Sequence, residues 1–216
     1  MASRRSPLAE SFIAVSGNIG AGKSTLVEGL SSRLGTPGFL ESHEKNPYLA
    51  PFYREPRQWA FHTQVSFLSL SIQDYRAVQR SGGRGVLERT LDEHHYVFAT
   101  HLHEDRALSE GEFEILDQLH RAASLRPAIS PSLVIYLRAP AAELLRRVQA
   151  RDRGAEVAAV GIEYLTALNR RYDSFARSWS ACPLVTIDTA TIDVRDQKGV
   201  AAVVARCEQA WADSVE

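Results

Sequence analysis

Two cysteines, Cys182 and Cys207, are all that 216 residues contain. They are too few and too late in the chain to define a disulfide framework or a cysteine-based metal site, which points to a reducing compartment, the cytoplasm by default. Long apolar runs are also missing. None approaches membrane-spanning length, and the basic start from Met1 to Pro7 is not followed by the apolar stretch of a signal peptide, so residues 1–10 read as a flexible leader. Charge of either sign is not in excess. With 25 Lys and Arg against 26 Asp and Glu, the formal net charge is −1, which leaves no basic footprint for nucleic acid or an anionic membrane and favours small-molecule partners. Lysine is scarce, occurring only at Lys23, Lys45 and Lys198. There is no internal repeat or low-complexity tract. What is present, 44% hydrophobic residues, suffices for one substantial core, so residues 11–216 are expected to form a single α/β domain.

One of the three lysines falls inside a complete P-loop. Gly17, Asn18, Ile19, Gly20, Ala21, Gly22, Lys23, Ser24 and Thr25 follow a short apolar run, Phe12 to Ser16, of the kind that becomes a buried strand. The spacing places backbone N–H groups around a nucleotide's phosphates, sends the Lys23 ammonium to the β/γ oxygens and offers the Ser24 hydroxyl to Mg²⁺. Helical apolar spacing at Leu26, Val27 and Leu30 puts the same phosphates at a helix N-terminus.

Four further strands are expected at Gly38–Leu40, Arg84–Glu88, Ser132–Leu137 and Leu184–Asp188. Long helical segments separate them, over Arg57–Gln79, Thr90–His103, Gly111–Leu125, Ala141–Arg151, Ile162–Ser178 and Gln197–Ser214. This alternation specifies a parallel sheet covered by helices. Ligands of such sheets bind beyond the carboxyl ends of the strands, which draws attention to Glu41, Glu88, Arg89 and Asp188.

At its strand end Glu41 is either a carboxylate placed to accept a hydroxyl proton or a solvated loop acid. Glu88 and Arg89 are either a Mg²⁺-assisting acid and a phosphoryl-binding arginine or a strand-end ion pair. Arg146, Arg147, Arg151 and Arg153 run out of a helix into a loop, as a solvated face or as an arginine-bearing lid over a triphosphate. His94, His95, His101 and His103, with Glu104 and Asp105, lie on one expected helix whose turn spreads them, and no metal site is read there.

The P-loop is followed in order by Glu41 with Asn46 to Leu49 and Phe52-Tyr53, by Trp59 to Gln64, by Glu88-Arg89-Thr90 with Tyr96 to Ala99, and by Arg147, Arg151 and Arg153 with Glu163 to Leu165. In this order the chain resembles the deoxynucleoside kinase family over almost its whole length. The resemblance implies a P-loop NTPase-type α/β fold, a five-stranded parallel sheet flanked by helices with an arginine-bearing lid, usually dimeric. It also implies transfer of the γ-phosphoryl group of a nucleoside triphosphate, ATP with Mg²⁺, to a nucleoside 5′-hydroxyl. Carried over position by position, Glu41 is the general base, Arg89 orients it and the reacting phosphate, and Lys23 serves the phosphates. Ser24 and Glu88 attend Mg²⁺. Tyr53 and Glu156 fall where the sugar 3′-hydroxyl is held, and Gln64 where a side-chain amide pairs with the base. Phe98 and Trp59 pack around the base, Arg147, Arg151 and Arg153 close the lid, and Asp188 precedes the loop near the donor's adenine.

Two positions depart from the family pattern. Ser71 stands where many members carry an arginine and His94 where they carry an aspartate, so a purine preference built on that pair is lost unless Asp74 and Arg76, about one turn on, compensate. The expectation is a changed acceptor: a pyrimidine deoxynucleoside, a ribonucleoside or a modified nucleoside. A kinase of another small acceptor and a non-catalytic nucleotide-binding protein are the alternatives. Gln64 beside Tyr53 argues against the first, and Lys23, Ser24, Glu41 and Arg89 together argue against the second.

Overall fold

The computed structural model describes residues 6–124, 130–150 and 160–215. Its centre is a five-stranded, all-parallel sheet in the order β2-β3-β1-β4-β5. The strands are β1 (Phe12–Gly17), β2 (Gly38–Phe39), β3 (Gly85–Glu88), β4 (Leu133–Arg138) and β5 (Leu184–Asp188). The central strands β1 and β3 are buried along their length and β4 except at Arg138, as their unbroken apolar sequences require when helices cover both sheet faces. The edge strands β2 and β5 remain partly exposed and carry the weaker sequence signal.

Helices α1 (Lys23–Leu34), α2 (Leu49–Arg54) and α3 (Pro56–Arg80) precede β3. Beyond it comes α4 (91–104), which runs through Leu91–Glu93, widens to a π-helix at His94–Ala99 and closes with Thr100–Glu104. Helix α5 (Glu110–Ser124) leads towards β4, and α6 (Ala141–Ala150), α7 (Ile162–Ser178) and α8 (Gln197–Val215) complete the described layers. The main core joins β1, β4 and β5 to α1, α6 and α8 through Ile13, Val15, Leu26, Ile135, Leu144 and Val203.

Most expected elements are found within a few residues of their expected ends. Three differ in kind. The π-helix replaces regular α geometry after Thr90, and Thr100 Oγ1 there donates to the carbonyl of His95, five residues back. The short helix α2 is an addition: Pro51 and Pro56 mask its pattern, yet its residue Phe52 packs against Ala60 and Leu102. At the N-terminus the leader reading is corrected for Pro7–Glu10, which form a 3₁₀ turn capped by the Ser6 hydroxyl with Leu8 inside the core.

Candidate active site

The site gathers at the carboxyl ends of β1, β2 and β3. After β1 the chain turns tightly around Gly20, whose φ of 80° suits glycine and where a Cβ would come 2.9 Å from the Leu144 carbonyl oxygen. Gly22, left-handed at φ 101°, is the N-cap of α1 and has no side chain to occupy the helix's first N–H groups. They stay open to an anion. Asn18 braces the loop: Oδ1 accepts from Ile19 N at 2.7 Å, and Nδ2 donates to Leu165 O at 3.0 Å and Asn169 Oδ1 at 2.8 Å. Lys23 Nζ donates to Asn18 O at 3.2 Å and lies 4.0 Å from Glu88 Oε1. Burial, followed by the repulsion of Arg89, lowers the Lys23 ammonium to a pKa of about 8.

Glu88 closes β3 and reaches two ways. Its Oε1 accepts from Ser24 Oγ at 3.1 Å and its Oε2 from Glu41 N at 3.4 Å. Ser24 and Glu88 thus present hard oxygen donors side by side at the P-loop, the donor type that suits Mg²⁺. The next residue, Arg89, has a left-handed backbone at φ 71°, an uncommon state for a non-glycine residue that concentrates at functional sites. Its Nε donates to Glu41 Oε1 at 2.9 Å, and one terminal nitrogen donates to Glu93 Oε2 at 3.3 Å and to Tyr172 OH at 2.5 Å. The guanidinium carbon lies 4.6 Å from the Phe98 ring centroid. Burial alone would raise the Glu41 carboxyl, but Arg89, with His94 and Lys23, holds it down at about 2.

Two cavities meet at the P-loop, and Gly20 lines both. One, of about 440 Å³, lies between Gly22, Thr25, Arg147 and the Thr189–Thr191 segment. The other, of about 370 Å³, is bordered by Ile19, Lys23, Ser24, Glu41, Glu88 and Arg89 towards the P-loop and by Tyr53, Gln64, Phe67, His94, Phe98 and Tyr164 elsewhere. Gln64 is 4% exposed, and its Oε1 has no hydrogen-bond partner among the described residues. His94 stacks on Phe67 with centroids 5.7 Å apart. Burial pushes its imidazole down to a pKa of about 4, leaving it uncharged at neutral pH.

The second cavity therefore brings together Lys23, Ser24, Glu41, Tyr53, Gln64, Glu88, Arg89, His94 and Phe98. Trp59 stands apart and stacks on Tyr48. Ser71 is buried, Asp74 half-buried and Arg76 exposed, and none of the three lines the cavity. Asp188 accepts from Ala190 N at 2.8 Å and so shapes the loop that follows. Arg147 borders the first cavity from α6. Its Nε donates to Glu143 Oε1 one turn back at 2.7 Å, and its terminal nitrogens to Thr189 Oγ1 at 2.9 Å and Thr189 O at 2.8 Å. Arg151, Arg153 and Glu156 lie outside the described residues. Phe67, Glu93 and Tyr172 were not found from sequence, whereas Tyr164 stood within the Glu163 to Leu165 match without a role. Only Glu93 has a local signal, the Thr90-x-x-Glu93 capping box, which is formed; the others arrive through tertiary packing.

A parallel sheet with a phosphate-binding loop at its centre, a buried lysine and a second cavity sharing that loop defines a P-loop phosphotransferase. The deoxynucleoside kinase family model matches residues 13–210, and the chain belongs to that family. A deoxyadenosine/deoxycytidine kinase of Bacillus subtilis (strain 168) is 30% identical over 197 residues, covering 90% of each chain. A deoxyguanosine kinase of Lactobacillus johnsonii is 31% identical over 187 residues, covering 84% of this chain and 83% of the relative. A solved deoxyadenosine kinase from M. mycoides with bound dATP is 25% identical, with a TM-score of 0.79 over 90% of this chain and 98% of that one. The chain is thus a nucleoside kinase that moves a phosphoryl group from a nucleoside triphosphate to a nucleoside.

Proposed function

We propose that the acceptor nucleoside occupies the cavity lined by Gln64, His94 and Tyr53, with its 5′-hydroxyl beside Glu41, and that ATP binds the P-loop with its base in the cavity beside Arg147 and Thr189. The observation that carries this reading is the array of buried Lys23, Glu88 and Arg89 with half-buried Glu41 where the two cavities meet. Lys23 and the N–H groups of the loop hold the β- and γ-phosphates. Ser24 and Glu88 hold Mg²⁺, which when bound draws negative charge from the phosphate oxygens. Arg89 faces the transferring phosphoryl group, and Arg151 and Arg153, with Arg147 anchoring the base end, complete the donor contacts. Tyr53 and Glu156 bind the 3′-hydroxyl, and Phe98 lies under the sugar and base.

Glu41 orients more than it deprotonates. A carboxylate held at about 2 is too weak a base to strip an alcohol in the ground state, so the proton leaves late, after bonding to the departing phosphoryl group is largely broken. Alignment of the hydroxyl with the γ-phosphorus supplies most of the acceleration.

The base is read by Gln64 and a neutral His94. An amide donates and accepts side by side, which matches one edge of any base. Among the described residues Ser71 stays outside the cavity and an uncharged His94 lines it beside Gln64, so pyrimidine deoxynucleosides, which lack a purine's additional polar edge, are the proposed acceptors. We further assign residues 11–216 to one kinase unit; both cysteines are free, as a reducing compartment such as the cytoplasm would keep them, and among the described residues no helix is long and apolar enough to cross a membrane. The proposed active form is a homodimer, supported by Tyr96, Ile115 and Leu119, large apolar side chains 53%, 46% and 41% exposed on α4 and α5.

The test is a panel of nucleosides and deoxynucleosides incubated with Mg²⁺-ATP, with product identified by mass. A 5′-monophosphate from pyrimidine deoxynucleosides is expected, with turnover reduced about 100- to 1,000-fold in Glu41→Gln while ATP affinity stays within about twofold. Deoxyadenosine and deoxyguanosine as the best acceptors by a wide margin would refute the base assignment. Undiminished turnover in Glu41→Gln would refute the role of Glu41.

A further inference from the structure

Glu93 has the most buried carboxylate around the site, at 0% exposure, and the reaction described above does not use it. Its Oε1 accepts from Thr90 N at 2.7 Å and Thr90 Oγ1 at 3.1 Å. Its Oε2 accepts from Arg89 at 3.3 Å and lies 3.5 Å from the N–H nitrogen of Gly17, the first residue of the P-loop. Helix capping does not by itself require a charge here, since glutamine completes a capping box as well as glutamate does. A buried carboxylate is costly unless a buried cation answers it. Burial raises the Glu93 carboxyl, and the cation that does most to offset this is Arg89, which is also the partner of Glu41, ahead of Lys23.

We propose that Glu93 is a positioning residue for phosphoryl transfer. It grips the Arg89 guanidinium at a terminal nitrogen while Glu41 takes Nε, so the group stays aligned with Glu41 and cannot swing along the left-handed backbone's other side-chain directions. The alignment is inherited from secondary structure. Thr90 caps α4, the cap fixes the Glu93 side chain in the first turn, and that side chain fixes Arg89. Contact with Gly17 N sets the same carboxylate against the phosphate loop, so donor and acceptor halves of the site share one brace. The inference rests on the assignment of Glu41 and Arg89 to the acceptor hydroxyl.

A double-mutant cycle on kcat tests it. Glu93→Gln keeps the size and a capping oxygen and removes the charge; kcat is expected to fall about 10- to 100-fold, the scale of a lost alignment, with ATP affinity within about twofold. In an Arg89→Lys background, already slowed, Glu93→Gln should cost no more than about twofold further, because the group it positions is gone. Losses that multiply across the two sites, or a single Glu93→Gln variant at the wild-type rate, would overturn the proposal. Arg89→Lys turning over normally would overturn the Arg89 assignment and this inference with it, an outcome distinct from multiplication. Should Glu93→Gln not fold, Glu93→Asp, which keeps the charge but withdraws it by one methylene, enters the same cycle with the same two outcomes.

Discussion

Lys23 is a cation that its own fold makes easier to discharge. Its pKa of about 8 when buried, against 10.5 in an unfolded chain, means that the free enzyme loses this charge as pH rises through 8. ATP affinity is therefore expected to weaken by about fivefold between pH 8 and 9, and Lys23→Arg should flatten the profile; titration of ATP binding from pH 6.5 to 9.5 measures both. For stability the sign is opposite: between about 8 and 10.5 the unfolded chain binds the extra proton, so this group's contribution to folding improves with pH. On the acid side Glu41, held at about 2, contributes stability fully above its ordinary 4.5 and loses it as pH falls towards 2. His94, held at about 4 against 6.5, adds a loss as pH falls through that interval. Asp74, raised by burial to about 6, works the other way between about 6 and 3.8, so the loss assigned to His94 is expected as a steeper fall below about pH 6.5 in the wild type than in His94→Asn, read by denaturant unfolding at a series of pH values.

Helix α4 shows how one element serves two ends. Its N-terminus closes a reciprocal cap between Thr90 and Glu93, and the π-helical turn that follows sets His94 and Phe98 on the cavity side. His95, beside His94, stacks on Phe113 and His120 of α5. The Thr90-Leu-Asp-Glu93 signature was readable in the sequence, and the wide turn was not, because it packs against α3, α5 and α7, partners distant in the chain. Thr90→Val removes the capping hydroxyl and one donor to Glu93. Destabilisation of about 1 kcal/mol in chemical denaturation is expected, together with lower kcat, since the brace on Arg89 is loosened; an unchanged denaturation midpoint would contradict the cap's contribution.

At the scale of the whole molecule, the outer face of α4 and α5 is where a second copy is proposed to pack. Ile115 and Leu119 lie one turn apart on α5 and Tyr96 rests edge-on against His120. Leu119→Glu should place a charge in the proposed interface and shift sedimentation from dimer to monomer while leaving the fold intact. A wild-type protein that sediments as a monomer would remove the proposal altogether.

The order of the strands' chemistry was set by the sequence alone: the P-loop after β1, Glu41 after β2, Glu88 and Arg89 at the end of β3. Strand ends are marked by where apolar runs stop, and a parallel sheet must collect those ends on one side. Tertiary structure decided which side chains share that space. Ser71 and His94 were equivalent departures in the sequence, yet only His94 lines the cavity. The sequence offered Arg147 as one of three lid arginines, and the tertiary structure alone shows its neighbours, Glu143 and Thr189, 4 and 42 residues away along the chain. Tyr172, 83 residues from Arg89 in sequence, is its hydrogen-bond partner inside the core. The contacts with Thr189 and Tyr172 are long-range, and the local periodicity that announces helices and strands carries no record of them.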